Sequence, residues 1–321
     1  MIKVAVIGAR GYTGAELLPL LQAHPDFEIV AVASGSAAGE AVEAHVPGMQ
    51  GCGLVFADVP ASGIGDYEAD ACVLALPNGA AAPYVESLDR QRPETVIVDL
   101  GADYRFDPNW VYGQPERFAD RIAGAKRIAN PGCYATGAQL ALAPLVGRMV
   151  GAPAVFGVSG FSGAGKTPSS KNDPEVLKDN LLPYKLADHI HEREVSWHIG
   201  RNIRFLPHVA PFFRGISLSI AATLASGTSD AEMLALFEDF YRDCPLIEVR
   251  ADIPEVKEVR NRHGVILGGF TVSENDPRRV SLVAVLDNLL KGAATQAVQN
   301  LNLAFGLDVL TGLDRRQGVE A

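Results

Sequence analysis

The chain opens on a short, mostly apolar, β-branched run, Ile2–Ile7, the pattern of a buried parallel strand. Apolar positions then recur at helical spacing from Ala15 through Leu17, Leu18 and Leu21, and a second strand-like run covers Glu28–Ala33. Strand, helix and strand at these distances predict a βαβ unit. Two further runs, Ala71–Leu76 and Thr95–Leu100, extend the same sheet, with a helix expected over Ala80–Leu88 between them. Farther on, Ala154–Ser159 reads as a strand and Ala138–Ala143 as the body of an apolar helix. Pro131-Gly132 forms the turn that delivers Cys133 to the first turn of that helix. A chain of 321 residues predicts roughly two domains.

Between the first strand and the first helix lies Gly8-Ala9-Arg10-Gly11-Tyr12-Thr13-Gly14. Its spacing is GxxGxxG, and the general dinucleotide fingerprint is GxGxxG. The context of strand, glycine loop and helix predicts a pyrophosphate held at the helix N-terminus by Gly8, Arg10, Gly11, Tyr12, Thr13 and Gly14. A glycine-rich turn that only packs a helix on a sheet gives the same spacing. The second strand ends in Val32-Ala33-Ser34-Gly35-Ser36-Ala37, with no acid before Glu40. An acid there would hold a ribose 2′-hydroxyl and repel a 2′-phosphate, so Ser34 and Ser36 favour NADP over NAD. No basic residue stands beside these serines. Pro77-Asn78-Gly79 closes the third strand, where cofactor loops gather in open α/β sheets.

Composition narrows the partners. A net charge of −10 argues against nucleic acid or an anionic membrane surface. No apolar run approaches the ~20 residues of a membrane helix, and a strand beginning at Ile2 leaves no room for a leader peptide. The four cysteines, Cys52, Cys72, Cys133 and Cys244, are scattered without a CxxC pair, which predicts a reducing compartment and no disulfide framework or zinc site. A cytoplasmic protein is expected.

Cys133 carries the chemistry. Free N–H groups and the positive dipole end of a helix favour thiolate over thiol, although a small buried cysteine looks the same in sequence. Candidate bases lie in His189-Ile190-His191-Glu192-Arg193-Glu194; if the segment is extended, alternation puts His189 and His191 on one side. The spacing matches no metal-binding cluster. Arg105 and Arg214 are candidate clamps for a carboxylate or phosphate. His198, His208 and His263 are singled out by no spacing. Gly160–Thr167 fits the P-loop pattern GxxxxGK[ST] residue for residue, which makes a nucleotide hydrolase the competing class. Against it, Pro168–Pro174 after the loop has no helical period, and the acidic strand Val96–Asp99 precedes the loop. A cysteine nucleophile, a histidine and a nicotinamide cofactor together predict reduction of an activated acyl group through a thioester.

These residues lie in segments through which the chain resembles the N-acetyl-γ-glutamyl-phosphate reductases, within the aspartate-semialdehyde dehydrogenase superfamily. They are Gly8–Leu17, Asp99–Arg105, Tyr112–Glu116, Ala129–Tyr134, Ser162–Lys166, His189–Glu194, Phe205–His208, Arg214–Ile216, Asp287–Ala294 and Gln296–Asn300. They follow the family's order across nearly the whole chain. The resemblance implies an α/β fold: a Rossmann-type dinucleotide-binding domain plus an α+β catalytic domain with a mixed or antiparallel sheet, as in glyceraldehyde-phosphate dehydrogenase. The expected boundaries are 1–132 for the NADP domain, 133–287 for the catalytic and dimerisation domain, and 288–321 for a C-terminal helix returning to the NADP domain. Cys133 is then the nucleophile and His189 the acid/base. Pro77, Gly163, Gly165 and Asn288 join the cofactor site, and Asn130, Ser162, Lys166, His191, Glu194 and His208 join Arg105 and Arg214 toward substrate. The implied reaction consumes N-acetyl-γ-glutamyl phosphate and NADPH and releases the semialdehyde and inorganic phosphate; the implied assembly is a homodimer or homotetramer. Two departures stand out. The family usually reads His-Arg-His-x-Pro-Glu where this chain has His189–Glu194, and Val259–Gly264 also differs. A carrier-linked aminoadipyl phosphate, the substrate of a related reductase, therefore stays open as the alternative.

Overall fold

The computed structural model describes residues 1–313 and divides the chain into two compact units. The first comprises Met1–Gly132 and the segment that begins at Ala293; the second is Cys133–Gly292. The expected C-terminal segment 288–321 thus runs past the described residues.

The first unit contains β1 (Ile2–Ile7), α1 (Tyr12–Ala23), β2 (Phe27–Ala33), β3 (Ala71–Leu74), α2 (Ala82–Gln91), β4 (Val96–Asp99), β5 (Val111–Tyr112), α3 (Pro115–Ile122) and β6 (Arg127–Ala129). The strands form one parallel sheet in the order β2-β1-β3-β4-β6-β5. Val4–Ile7, Ala71–Leu74 and Val96–Asp99 are buried along their length, as parallel strands covered on both faces must be. The chain turns one way from β1 to β2 and the other way to β3, so the switch point where such sheets bind ligands lies at the C-terminal end of β1.

The second unit begins with α4 (Cys133–Leu142) and continues through β7 (Met149–Gly160), α5 (Pro174–Leu177), β8 (Leu182–Pro183), α6 (Ile190–Ile199), β9 (Arg204–Ala210), β10 (Ile216–Leu224), α7 (Asp230–Phe240), β11 (Ile247–Val249), β12 (Val265–Ser273) and β13 (Asp276–Leu286). Its mixed sheet runs β11-β12-β13-β10-β7-β9-β8. β10 alternates strictly: Ile216, Leu218, Ile220, Ala222 and Leu224 are buried, while Ser219 and Ala221 are exposed. One face is therefore core and the other open. α4 lies on the core face, where a Cβ on Gly137 would come within 2.7 Å of Leu218 and 2.8 Å of Leu286.

The final helix, α8 (Thr295–Ala304), packs in the first unit against α1, α3 and β4. A helix was expected from about Asn288, but Leu290–Ala294 forms a wide π-type turn instead. The cause is Asp287: its carboxylate accepts the amides of Leu289 and Leu290, and its carbonyl accepts the amide of Gly292. Asp287 is wholly buried and also takes a bidentate pair from Arg214, Nε at 2.6 Å and Nη2 at 3.0 Å, and the Asn261 amide at 2.9 Å. Arg214→Ala would leave this carboxylate buried without its counter-charge. Such a loss costs about 3–5 kcal/mol, readable as a lower midpoint in urea unfolding; a change below about 1 kcal/mol, the value of an exposed pair, would contradict this account.

Candidate active site

α4 starts at Cys133 itself, so the first-turn amides of a ten-residue helix surround the thiol. The residue is half-buried. Gly292, in the π-type turn, lies against it: a Cβ there would sit 2.7 Å from the Cys133 Cβ. Tyr134 sends its hydroxyl to the His208 carbonyl at 2.7 Å and is hydrogen-bonded to the Tyr184 hydroxyl. Burial, followed by the Tyr184 phenol and the charge at Cys133, pushes Tyr134 well above the usual phenol range; burial and then Cys133 raise Tyr184. Both hydroxyls therefore stay protonated.

His189 and His191 are not on an extended segment. His189 is the N-cap of α6, and its Nδ1 accepts the His191 amide at 3.1 Å. The polar start of α6 overrides the strand-like alternation, because a capping imidazole satisfies an otherwise orphaned helix amide. The rings still meet, with centroids 5.0 Å apart. Phe205 and Tyr184 complete the surround of His189 at 5.2 and 5.5 Å. The capping bond fixes the ring proton on Nε2. Burial, followed by the Lys185 and Lys171 charges, lowers the His189 pKa to about 4 against a weaker opposing effect of Glu194. The imidazole is thus neutral at physiological pH. Glu194 is fully buried, 4.0 Å from His191 Nε2. The His208 ring packs on Phe156, and its Nδ1 meets the Leu206 carbonyl.

The P-loop-like segment does not have the geometry of a P-loop. The amides of Gly160, Phe161 and Ser162 bond to the carbonyls of Gly215, Phe212 and Phe213, and the Gly165 amide bonds to Ser162. A short 3₁₀ turn over Phe161–Ala164 follows where a P-loop needs a helix. Asn288 instead ties this loop to its neighbour: its Nδ2 donates to Ser162 Oγ at 2.9 Å and its Oδ1 accepts the Gly215 amide at 2.7 Å. Gly163 packs beside the same amide, and Lys166 is exposed. Arg105 is buried, with Nε on the Asn130 carbonyl at 2.9 Å and Nη2 on the Leu100 carbonyl at 3.0 Å. Asn130 in turn accepts from Asn300. Arg105 and Arg214 therefore both spend N–H groups on the protein itself.

In the first unit, Gly8 has φ +84°, and a Cβ there would collide with the Ala75 carbonyl. A Cβ on Gly14 would strike the Ala9 carbonyl, so both glycines are needed for the tight turn and the close helix. Gly11 is the N-cap of α1, followed by Tyr12 and Thr13 in its first turn. Arg10 reaches from this loop to Ser36, Nη1 to Oγ 3.0 Å, and Ser36 meets Ser34 at 3.4 Å. The basic residue absent from the loop after β2 is thus supplied by the loop after β1. Across the switch point, Asp103 accepts the amides of Gly79 and Ala81, ordering the turn that follows Pro77. Asp99, at the end of β4, accepts the Gly101 amide through one oxygen; burial raises its pKa to about 6. These residues fit a dinucleotide carrying a 2′-phosphate. Sequence reading passed over Tyr184, Lys171, Lys185 and Asp287 as site residues, since none has diagnostic spacing. Among the described residues no group of three or more His, Cys, Asp and Glu side chains gathers as a metal site, and no helix is long and apolar enough to cross a membrane.

Residues 3–125 match the semialdehyde dehydrogenase NAD-binding domain and residues 133–288 the semialdehyde dehydrogenase dimerisation domain. Aspartate semialdehyde dehydrogenase II of Vibrio cholerae shares the fold, with a TM-score of 0.77 at 19% identity over 95% of this chain and 98% of that one. The aspartate semialdehyde dehydrogenase of Candida albicans, with a TM-score of 0.73 at 18% identity over 95% and 99%, does so too. Relatives much nearer in sequence are N-acetyl-gamma-glutamyl-phosphate reductases. The one from Xanthomonas campestris pv. campestris strain B100 is 50% identical over 97% of this chain and 98% of its own length, and the one from Stenotrophomonas maltophilia is 50% identical over 97% of each. The chain belongs to the N-acetyl-γ-glutamyl-phosphate reductase family of semialdehyde dehydrogenases.

Proposed function

We propose that the protein reduces N-acetyl-γ-glutamyl phosphate to N-acetylglutamate 5-semialdehyde with NADPH, releasing inorganic phosphate. This reading rests on a cysteine at the first position of α4 in the same unit as a buried, neutral His189, and on half-identical relatives that bear the reductase name. Cys133 attacks the acyl carbon; the new C–S bond forms as the C–O bond to phosphate breaks, leaving a thioester. NADPH, when bound, would supply the hydride for the thioester carbon; the C–S bond to Cys133 then breaks, which frees the semialdehyde and returns the thiolate. Gly8, Gly11, Tyr12, Thr13 and Gly14 would hold its pyrophosphate at α1, and Arg10, Ser34 and Ser36 its 2′-phosphate. His189 presents Nε2–H to the oxygen that turns negative in each tetrahedral intermediate, and any proton it passes moves at that nitrogen. The α4 amides share that charge. Asn288, Arg105 and Arg214 act by positioning: one binds the Ser162 loop, one the Asn130 turn and one the Asp287 turn. His191, Glu194 and His208 line the same unit toward substrate.

The matched dimerisation domain and the open face of the second sheet, where Phe156 is 37% exposed, support a homodimer; a homotetramer would pair two of them. A reducing cytoplasm, which keeps Cys133 a thiol, is the compartment assigned.

The assay is the reverse reaction: N-acetylglutamate semialdehyde, phosphate and NADP are mixed with the protein and NADPH absorbance is followed. Cys133→Ser should lower turnover by several orders of magnitude, roughly the contribution of a covalent route, while NADPH binding persists. Near-wild-type turnover would sink the thioester mechanism.

Native His189 stays neutral down to about pH 4, whereas the unfolded residue protonates near 6.5. The unfolded state binds the extra proton in that window, so His189 makes stability fall as pH drops from about 6.5 to about 4. Urea unfolding at pH 7.5 and 5 should therefore show a smaller acid loss in His189→Gln than in the wild type. Equal losses would remove the assigned neutrality. Arg10→Ala should weaken NADPH at least about tenfold, the scale of a charge-assisted phosphate contact, and leave NADH unchanged. Equal weakening of both cofactors would reject Arg10 as the 2′-phosphate ligand.

A further inference from the structure

Residues 259–264, where the sequence departs from the family pattern, close a cavity at the start of β11 and β12. Its volume is about 120 Å³, well below the roughly 300–1,000 Å³ of sites for drug-sized molecules. Ile247, Val259 and Val265 form its apolar wall, and all three are buried. Glu248, Arg262 and the buried His263 supply its polar groups. Gly264 lets the segment come this close to β11: a Cβ there would meet the Leu246 carbonyl at 2.6 Å.

The charges facing the cavity are loosely held. Arg250 and Glu258 pair at 2.7 Å, which occupies that carboxylate. Glu248 is left 3.5 Å from Arg250 and 3.6 Å from Arg262, and Arg262 otherwise reaches the Glu258 carbonyl at 3.4 Å. A charge-assisted N–H···O bond closes to about 2.7–2.9 Å. A carboxylate and a guanidinium thus share one small cavity without closing on each other. Both are reachable from outside, with side chains 45% and 31% exposed.

We propose that this cavity binds a small α-amino acid, its carboxylate on Arg262, its ammonium on Glu248 and its side chain against Ile247, Val259 and Val265. The charges select the class. A simple anion would meet Glu248 and a simple amine would meet Arg262, each a like-charge contact. A zwitterion answers both groups and replaces two long contacts by short ones. The planar guanidinium suits a bidentate carboxylate, and the small volume admits a side chain of few carbon atoms. The same segment reaches toward Cys133. Asn261, between Val259 and Arg262, donates its amide to Asp287 at 2.9 Å. Asp287 in turn shapes the turn whose Gly292 packs on Cys133. A ligand held at both ends orders residues 259–264, so its occupancy is felt behind the thiol.

The test is calorimetry on the full chain with L-alanine as probe, beside acetate, ethylamine and N-acetyl-L-alanine. L-Alanine should bind at least about tenfold more tightly than each of the other three, the scale of one charged contact. Its binding should be lost in Arg262→Ala and weakened in Glu248→Gln and Arg262→Lys. In the absence of amino acid, Arg262→Ala and Glu248→Gln should keep the wild-type rate of the reverse reaction, which shows both folded. Iodoacetamide labelling of Cys133, read by peptide mass, should slow by about fivefold or more when L-alanine saturates the wild type, and not in Arg262→Ala. No binding of L-alanine, equal binding of acetate, or binding undiminished in Arg262→Ala would overturn the site. Unchanged labelling of Cys133 would overturn its link to the thiol.

Discussion

α4 can begin at Cys133 only because neighbouring positions carry no side chain. Gly137 lets the helix settle on Leu218 and Leu286 of the sheet, and Gly292 lets the π-type turn close on Cys133 itself. Gly157 admits the Tyr134 and Phe205 rings, which would lie 2.7 and 2.8 Å from a Cβ at that position. Close packing of this kind tolerates little extra volume. The position of the Cys133 thiol is therefore a property of the second unit's core, held by backbone that cannot shift without opening it.

Around that fixed point the polar groups are arranged by capping and burial. Asp287 gathers an arginine and three amides, converting what would be a helix start into a turn. Asn288 holds the Ser162 loop and the Gly215 amide at once. His189 is oriented by the amide it caps, which is why one nitrogen alone is left for chemistry. A positioned, neutral donor costs little reorganisation when charge develops on an oxygen.

Much of this was legible in the sequence, and the parts that were not have a common cause. The β1 run, the glycine loop and α1 follow local periodicity and steric need, so Ile2–Ile7 is found as expected. Cys133 follows a Pro-Gly turn and opens a helix as its sequence context suggested. The histidine segment misled because alternation is a weak signal where a side chain can cap. The turn at Leu290–Ala294 was invisible because it depends on Asp287 meeting Arg214, 73 residues earlier. The partnership of Arg10 with Ser36 was missed for the same reason: the contact spans 26 residues and two loops.

That last contact has an evolutionary consequence. The basic and hydroxyl halves of the proposed 2′-phosphate site sit on separate loops, one after β1 and one after β2. A lineage drifting toward NADH would have to lose Arg10 and also gain an acid near Ser36. Either change alone would leave a cofactor pocket poorly matched to both nucleotides. On that proposal the split works as a ratchet: no single substitution converts the pocket from NADPH to NADH.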